Sequence, residues 1–259
     1  MKAIVTTAGR TNEVLIERAK EVANELSLAY VDRKKKSVQA LQEQHQSDVI
    51  VVNKERLELF MLGSTSPFFF HPNSAAFRMK RLVKGEQDLF LQATALQKGD
   101  RFLDTTAGLC SDSMIAAFGV GDAGVVHACE ANALVAYIVS NGLKQYETPI
   151  AELQHSMRQV QLIHQESIQF LKAAETDAYD VVYLDPMFEE EIEESSNFQT
   201  LRKVGQQDAL TAEWVAEAKR VARKRVVLKA HFRSSVFEEY GFTRFTRLTA
   251  KFHYGIIEK

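Results

Sequence analysis

The stretch Arg101-Phe102-Leu103-Asp104-Thr105-Thr106-Ala107-Gly108-Leu109-Cys110-Ser111-Asp112 decides how the chain reads. Apolar residues run into a carboxylate, and a loop of small residues follows. Ser111 or Asp112 is then placed to cap a helix carrying Met114, Ile115 and Phe118. A strand, a tight small-residue turn and a helix start form a ligand-binding device. The backbone comes close to the ligand and the free N–H groups of the helix face it. A dinucleotide fingerprint needs three glycines in G-x-G-x-x-G, and here only Gly108 is present. That counts against a nicotinamide oxidoreductase.

Outward from this stretch the rhythm is strand, helix, strand, which predicts a doubly wound parallel sheet. Arg101–Asp104 is the first strand, and Val125–Cys129 the second, ending in Glu130. A helix over Asn132–Asn141 is predicted to stop at Asn141-Gly142. Val160–His164 is the third strand, followed by Glu166-Ser167 and a helix through Ala173. Asp180–Leu184 is the fourth, running into Asp185-Pro186-Met187-Phe188. Thr211–Ala222 reads as helix, Arg225–Lys229 as the fifth strand, and Phe242–Leu248 with Lys251–Glu258 as a closing antiparallel pair.

Upstream, Lys2–Thr7 reads as a strand, Val14 to Leu26 as an amphipathic helix and Leu28–Val31 as a return strand. Ser37 caps a short helix to Gln44, and Asp48–Val52 and Leu57–Leu62 are strands. Thr6-Thr7-Ala8-Gly9-Arg10 is either a plain strand-to-helix turn or a phosphate cradle. Ser64–Asn73, with Pro67 and Pro72 around Phe68-Phe69-Phe70, marks a junction. The expected organisation is therefore a smaller α/β subdomain over 1–72 and a cofactor-binding domain over 73–259. Ser74–Leu96 reads as helix around Gly85, with Arg78, Lys80, Arg81 and Lys84 making its first half basic.

Composition sets bounds. The 259 residues are 46% hydrophobic and 25% charged, the balance of a globular chain. No apolar run approaches a membrane span, and the start Met1–Thr7 turns polar too soon for a signal peptide. Cys110 and Cys129 are the only cysteines and no metal-ligand spacing occurs, so a reducing cytoplasm is the expected compartment. The net charge of −2 argues against gross nucleic-acid affinity, yet charge is uneven: Lys219–Lys259 holds 11 Lys/Arg against 3 Asp/Glu, while Asp177–Glu194 holds 8 acids and no base.

The polar residues fall where a parallel sheet binds ligands, beyond the carboxyl ends of its strands. Asp104 and its loop follow the first strand, Glu130 the second, Glu166-Ser167 the third and Asp185 the fourth. Glu130 lies 22 residues beyond Gly108, where an acid can accept hydrogen bonds from both hydroxyls of a ribose. This spacing implies a nucleoside without saying which. A carboxylate followed by proline at the fourth strand end can accept hydrogen bonds from an –NH₂ group and aim its lone pair at an electrophile. A ring such as Phe188 can stack on a base. A nucleophilic role for Cys110 lacks a basic partner nearby in sequence, so it reads as a small packing residue.

Asp185-Pro186-Met187-Phe188 resembles the (Asp/Asn)-Pro-Pro-(Tyr/Phe) motif of methyltransferases acting on exocyclic amino groups. With Leu103–Asp112, Leu162-Ile163-His164 and Val226-Val227-Leu228-Lys229, it resembles a class I S-adenosylmethionine-dependent family. That family is the bacterial small-subunit ribosomal RNA guanine-N2 methyltransferases, with Asp-Ala-Thr-Ala-Gly-Leu-Gly-Arg-Asp and Asp-Pro-Met-Tyr motifs. The resemblance covers about Ser74–Lys259. It implies a Rossmann-like, mostly parallel seven-stranded sheet, S-adenosylmethionine as cofactor and ribosomal RNA as partner. The loop residues Asp104, Thr106, Ala107 and Gly108, with Ser111, Asp112, Glu130, Ala131, Glu166 and Ser167, would hold the cofactor. Asp185, Pro186, Met187 and Phe188 would form the methyl-transfer end. Cys110 and Ser111 stand where the family has Gly and Arg. Glu189-Glu190-Glu191-Ile192-Glu193-Glu194 stands where the family is basic. The acidic run keeps a small-molecule or protein amine open as acceptor, and a non-catalytic cofactor-fold module is the reading from another class. Oligomeric state is not legible.

Overall fold

The computed structural model describes residues 2–186, 210–246 and 250–259. The described residues divide into two compact units, 2–70 in one and those from His71 onward in the other. In the first unit the elements are β1 (Ala3–Thr7), α1 (Glu13–Glu25), β2 (Ala29–Tyr30), α2 (Val38–His45), β3 (Asp48–Val52) and β4 (Leu57–Phe60). The sheet order is β2-β1-β3-β4, with β4 antiparallel to β3 and the others parallel. Asn12 caps α1 through Leu15 N–H and Ser37 caps α2 through Ala40 N–H. Phe68 and Phe70 are buried, and Phe69 lies 3.5 Å beneath the Arg56 guanidinium, so the aromatic run is packing.

The second unit opens with α3 (Asn73–Val83) and α4 (Leu89–Thr94) rather than one long helix. Gly85, at φ +82°, sits in the break, and Asp88 starts α4 by accepting from Phe90 and Leu91 N–H. The remaining elements in order are β5 (Arg101–Asp104), α5 (Ser111–Val120), β6 (Val125–Glu130), α6 (Ala133–Gln145), α7 (Ala151–Gln159), β7 (Val160–His164), α8 (Ser167–Ala173), β8 (Tyr179–Leu184), α9 (Ala212–Val221), β9 (Ala222–His231), α10 (Val236–Glu239), β10 (Thr243–Phe245) and β11 (Phe252–Glu258). The sheet runs β10-β11-β9-β8-β5-β6-β7, with β9, β8, β5, β6 and β7 parallel, and β11 antiparallel to both its neighbours β9 and β10. From β5 the chain steps outward to β6 and β7, then returns to β8 on the other side. The switch point lies between β5 and β8.

Alternation along the strands feeds two layers. Leu103, Val182, Leu184, Val226 and Leu228 pack with Leu171, Trp214, Val215 and Ala218 of α8 and α9. From the opposite face Phe102 and Tyr183 meet Phe90 of α4 edge-on, at centroid distances of 5.7 and 5.1 Å. Among the described residues no helix is long and apolar enough to cross a membrane.

Three local expectations are corrected. α6 continues through Gly142 to Gln145, because Leu143 is buried and its packing outweighs the poor helix propensity of glycine. The residue before α5 is Cys110 in the left-handed region at φ 58°, so neither Ser111 nor Asp112 is the cap. β9 is ten residues long and begins at Ala222, three before the predicted start.

Gly255 in β11 is a packing constraint: a Cβ there would fall 2.5 Å from Phe237 Cδ1 and 2.8 Å from Phe242 Cβ. Overpacking of this kind costs about 1–3 kcal/mol. Gly255→Ala is expected to lower Tm by about 2–10 °C in a thermal melt.

Candidate active site

The site is assembled at the carboxyl edge of the second unit's sheet. Asp104 ends β5 and is buried. One oxygen accepts from Thr106 N–H (2.9 Å) and Thr106 Oγ1 (3.2 Å), and the other from Ser113 Oγ (2.5 Å). Burial pushes its carboxyl up to about 7 against these donors, and the charges of Asp112 and Asp185 push the same way. Asp104 therefore fixes the shape of the turn. The loop is also pinned to its neighbours: Thr105 N–H and Oγ1 donate to Tyr183 O, and Ala107 N–H donates to Cys129 O. Gly108 takes φ +48° and Cys110 φ +58°, two left-handed steps that turn the chain into α5. Cys110 is fully buried and its thiol is pushed well up by that burial, so it is a packing residue.

Glu130 ends β6 and is half-buried. Asn132 N–H donates to its carboxylate at 2.8 Å, and the backbone N–H groups of Gly108 and Ala131 help to favour its charged form. Burial raises its pKa while these donors oppose the rise. The bond from Ala107 N–H to Cys129 O sets the turn beside the end of β6, so a carboxylate and a small-residue loop face one space. Asn132 caps α6 by accepting from Leu134 and Val135 N–H. Ala131 is exposed. Gln165 N–H donates to Glu130 O, which brings Glu166 and Ser167 to the same edge. Glu166 accepts from Gln169 and is the residue before α8. Ser111 opens α5, whose N-terminus carries no side-chain cap.

Asp112 is the residue whose surroundings the sequence did not reveal. Its carboxylate accepts from Arg78 on one oxygen, and from Tyr183 OH (2.8 Å) and Lys229 Nζ (3.3 Å) on the other. Burial opposes its charge, but the Lys229 and Arg78 cations and the bonds from Arg78 and Tyr183 hold it well below the usual carboxylate range. Arg78 is itself gripped by both oxygens of Asp88, each at 2.8 Å. Lys229 also reaches Asp185 Oδ2 at 2.7 Å. Strand register explains the meeting: Tyr183 pairs with Val227 and Leu184 with Leu228, so the next step sets Asp185 beside Lys229.

Asp185 is held at both ends, since its N–H donates to Thr106 Oγ1 at 2.9 Å. Its side chain remains 30% exposed, and Pro186 behind it is buried. Met187, Phe188 and the acidic run Glu189–Glu194 lie outside the described residues. Lys229, Arg78 and Tyr183 are the residues that sequence reasoning left without a role. Beyond Lys229 the strand end is aromatic: His231 packs against Phe232 at 4.6 Å and Phe252 at 6.2 Å, and Phe232 lies 6.1 Å from His253.

The donor set fits S-adenosylmethionine. Glu130 offers acceptor capacity for ribose hydroxyls, the turn has left-handed backbone instead of bulk, and the N–H groups of α5 are uncapped.

The raised Asp104 predicts a pH window. A carboxyl whose folded pKa exceeds its unfolded value of about 3.9 binds its proton more tightly when folded, so its stabilisation is lost as pH rises from about 4 to about 7. Asp104→Asn keeps an acceptor for Thr106 without the charge. In melts between pH 4.5 and 8 its Tm relative to the parent chain is expected to rise up to about pH 7 and then level off. A flat difference would show that Asp104 is ionised throughout.

Comparison with known proteins agrees with this geometry. Residues 33–245 match the family described as "Putative SAM-dependent methyltransferase". The chain is 43% identical over 255 residues to the uncharacterized protein YpiP of Bacillus subtilis, covering 98% of this chain and 99% of that one. It is 31% identical over 147 residues to ribosomal RNA small subunit methyltransferase J of Pseudomonas aeruginosa, a match spanning 54% of each. The fold is shared with the SAM-dependent methyltransferase NGO1261 of Neisseria gonorrhoeae, at a TM-score of 0.64 and 19% identity over 98% of this chain and 95% of that one. The chain belongs to the S-adenosylmethionine-dependent methyltransferase family.

Proposed function

We propose that this methyltransferase acts on an exocyclic amino group of an RNA base, with guanine N2 of small-subunit ribosomal RNA as the acceptor. The observation that carries this reading is the setting of Asp185. It stands at the carboxyl end of β8, its N–H on the cofactor-side loop through Thr106, its carboxylate on Lys229, and part of its side chain open. The match to ribosomal RNA small subunit methyltransferase J supports an RNA acceptor.

When bound, S-adenosylmethionine supplies a methyl carbon attached to a cationic sulfur. Glu130 holds the ribose hydroxyls, with Ala131 beside it. Thr106, Ala107, Gly108 and Ser111 form the wall of the turn, and Glu166 and Ser167 border the far end. Asp104 and Asp112 keep the turn and α5 in place. Asp185 accepts an N–H from the amine and so directs the nitrogen lone pair, and the carbonyl next to Pro186 can accept the second. Lys229 Nζ donates to Asp185 Oδ2 at 2.7 Å and so fixes the orientation of the carboxylate. The amine sheds its proton after attack, towards Asp185 or solvent, and positioning supplies much of the rate. Met187 and Phe188 follow directly in the sequence, and Phe188 is the stacking residue of this reading.

Two substitutions separate the roles. Glu130→Ala is expected to weaken S-adenosylmethionine about ten- to a hundredfold by titration calorimetry, the value of a lost charge-assisted hydrogen bond. Asp185→Ala should bind the cofactor within a few-fold of the parent chain and lose methyl transfer to RNA. Small-subunit ribosomal RNA from cells lacking this chain is the acceptor to test, with nucleoside mass spectrometry as readout. N2-methylguanosine in the product supports the reading, and full turnover by Asp185→Ala removes it.

A further inference from the structure

We propose that the outer face of α3 is a docking surface for single-stranded RNA, with Phe77 as a base-stacking ring beside basic side chains. The proposal rests on the RNA-acceptor reading and adds a surface distinct from the residues of the transfer site. Asn73, Ser74, Phe77, Lys80, Arg81 and Lys84 are all exposed. At 100° per residue they fall within an arc of about 120°, with Phe77 near its middle. The opposite side of the helix is closed, with Ala75 and Met79 fully buried.

Phe77 is 65% exposed, a large apolar ring left in water on an otherwise polar face. The Arg81 guanidinium lies 5.9 Å from its centroid and is also paired with Glu86 at 2.7 Å, so one side of the ring has a planar cation beside it. Lys80 and Lys84 follow the ring by one and two turns, and neither has a carboxylate partner among the described residues. From Asn73 to Lys84 there are four Lys/Arg and no Asp/Glu. The fourth, Arg78, points the other way and is spent on Asp88 and Asp112. α3 thus carries its structural cation inward and its free cations outward.

Charge complementarity selects the occupant. A ring followed by unpaired ammonium groups suits a strand that offers a base face and phosphates at short intervals, which stacking proteins use without reading sequence. A second copy of this chain would have to bring carboxylates to the same face. The surface is also tied to the chemistry, because Arg78 of α3 bonds Asp112, which bonds Lys229, which bonds Asp185. RNA held on α3 is held on an element that braces the transfer site.

The test uses a fluorescein-labelled single-stranded RNA of about 20 nucleotides, with anisotropy read across a salt series. Phe77→Ala should weaken binding by roughly 5- to 100-fold with an unchanged salt slope, since it removes stacking and no charge. Lys80→Gln with Lys84→Gln should lower the slope of log affinity against log salt by about 1.4, at about 0.7 for each phosphate no longer neutralised. S-adenosylmethionine affinity, measured by calorimetry, should not change in either variant. If the parent chain binds and methylates RNA while both variants bind it equally well, the surface is overturned and the acceptor reading stands. If the parent chain neither binds nor methylates RNA, both fall together. If sedimentation shows Phe77→Ala breaking a dimer with RNA binding unchanged, the face belongs to a second copy and the proposal is overturned.

Discussion

The second unit depends on the satisfaction of one buried carboxylate, Asp112. An ionised carboxylate taken out of water costs several kcal/mol unless its oxygens are met by donors and its charge by cations. Asp112 receives Arg78, Tyr183 and Lys229, and each of these comes from a different element: α3, β8 and β9. Arg78 is held in turn by Asp88, the cap of α4, and Lys229 by Asp185. The result is a chain of alternating charge, Asp88, Arg78, Asp112, Lys229, Asp185. Removal of an interior cation leaves a buried anion uncompensated, which costs about 3–5 kcal/mol in such sites. The same bonds that settle Asp112 therefore fix where α3 meets α5 and how Asp185 is presented.

Two carboxylates eight residues apart are driven in opposite directions by this arrangement. Asp104 is met by a backbone N–H and two hydroxyls but no cation, and burial pushes it up. Asp112 is less enclosed, its side chain 11% exposed, but it faces two cations and is held down. The neutral donors around Asp104 suit a residue that shapes a turn, because hydroxyl and N–H groups are directional. The cations around Asp112 suit an anchor between elements, because Coulomb attraction tolerates small shifts in angle. Glu130 falls between these cases. It accepts from the backbone N–H of Asn132, and part of its surface stays open for a ligand.

The parallel sheet was legible in the sequence because its strands are short apolar runs that end in polar residues, as with Leu103 into Asp104 and Val181–Leu184 into Asp185. The loop and its position at the switch point followed from the same alternation. The partners of Asp112 were not legible. They lie 34, 71 and 117 residues away, and only strand register brings Lys229 level with Asp185. Lys229 closes the run Val226-Val227-Leu228-Lys229 with no role readable in it, since a lysine at a strand end usually points to water. The end of α6 was misplaced for a related reason. Asn141-Gly142 is a good local stop, yet Leu143 finds a core site one residue further on, and packing overrides the local signal.

Strand order also sets the length over which the chemistry is laid out. Neighbouring strands are about 4.8 Å apart, and Glu130 on β6 is separated from Lys229 on β9 by β5 and β8, roughly 14 Å along the edge. On the proposed reading the ribose is held at the β6 end. The reacting methyl must then lie nearer β8, where Asp185 stands and Thr106 of the β5 loop reaches it. Beyond Lys229, on the β9 side, the strand end carries the rings of His231, Phe232 and Phe252. On that reading the order β9-β8-β5-β6 separates a polar cofactor end, built from backbone N–H groups and carboxylates, from an aromatic acceptor end. Asp185 stands between them, bonded to the loop of one and the lysine of the other.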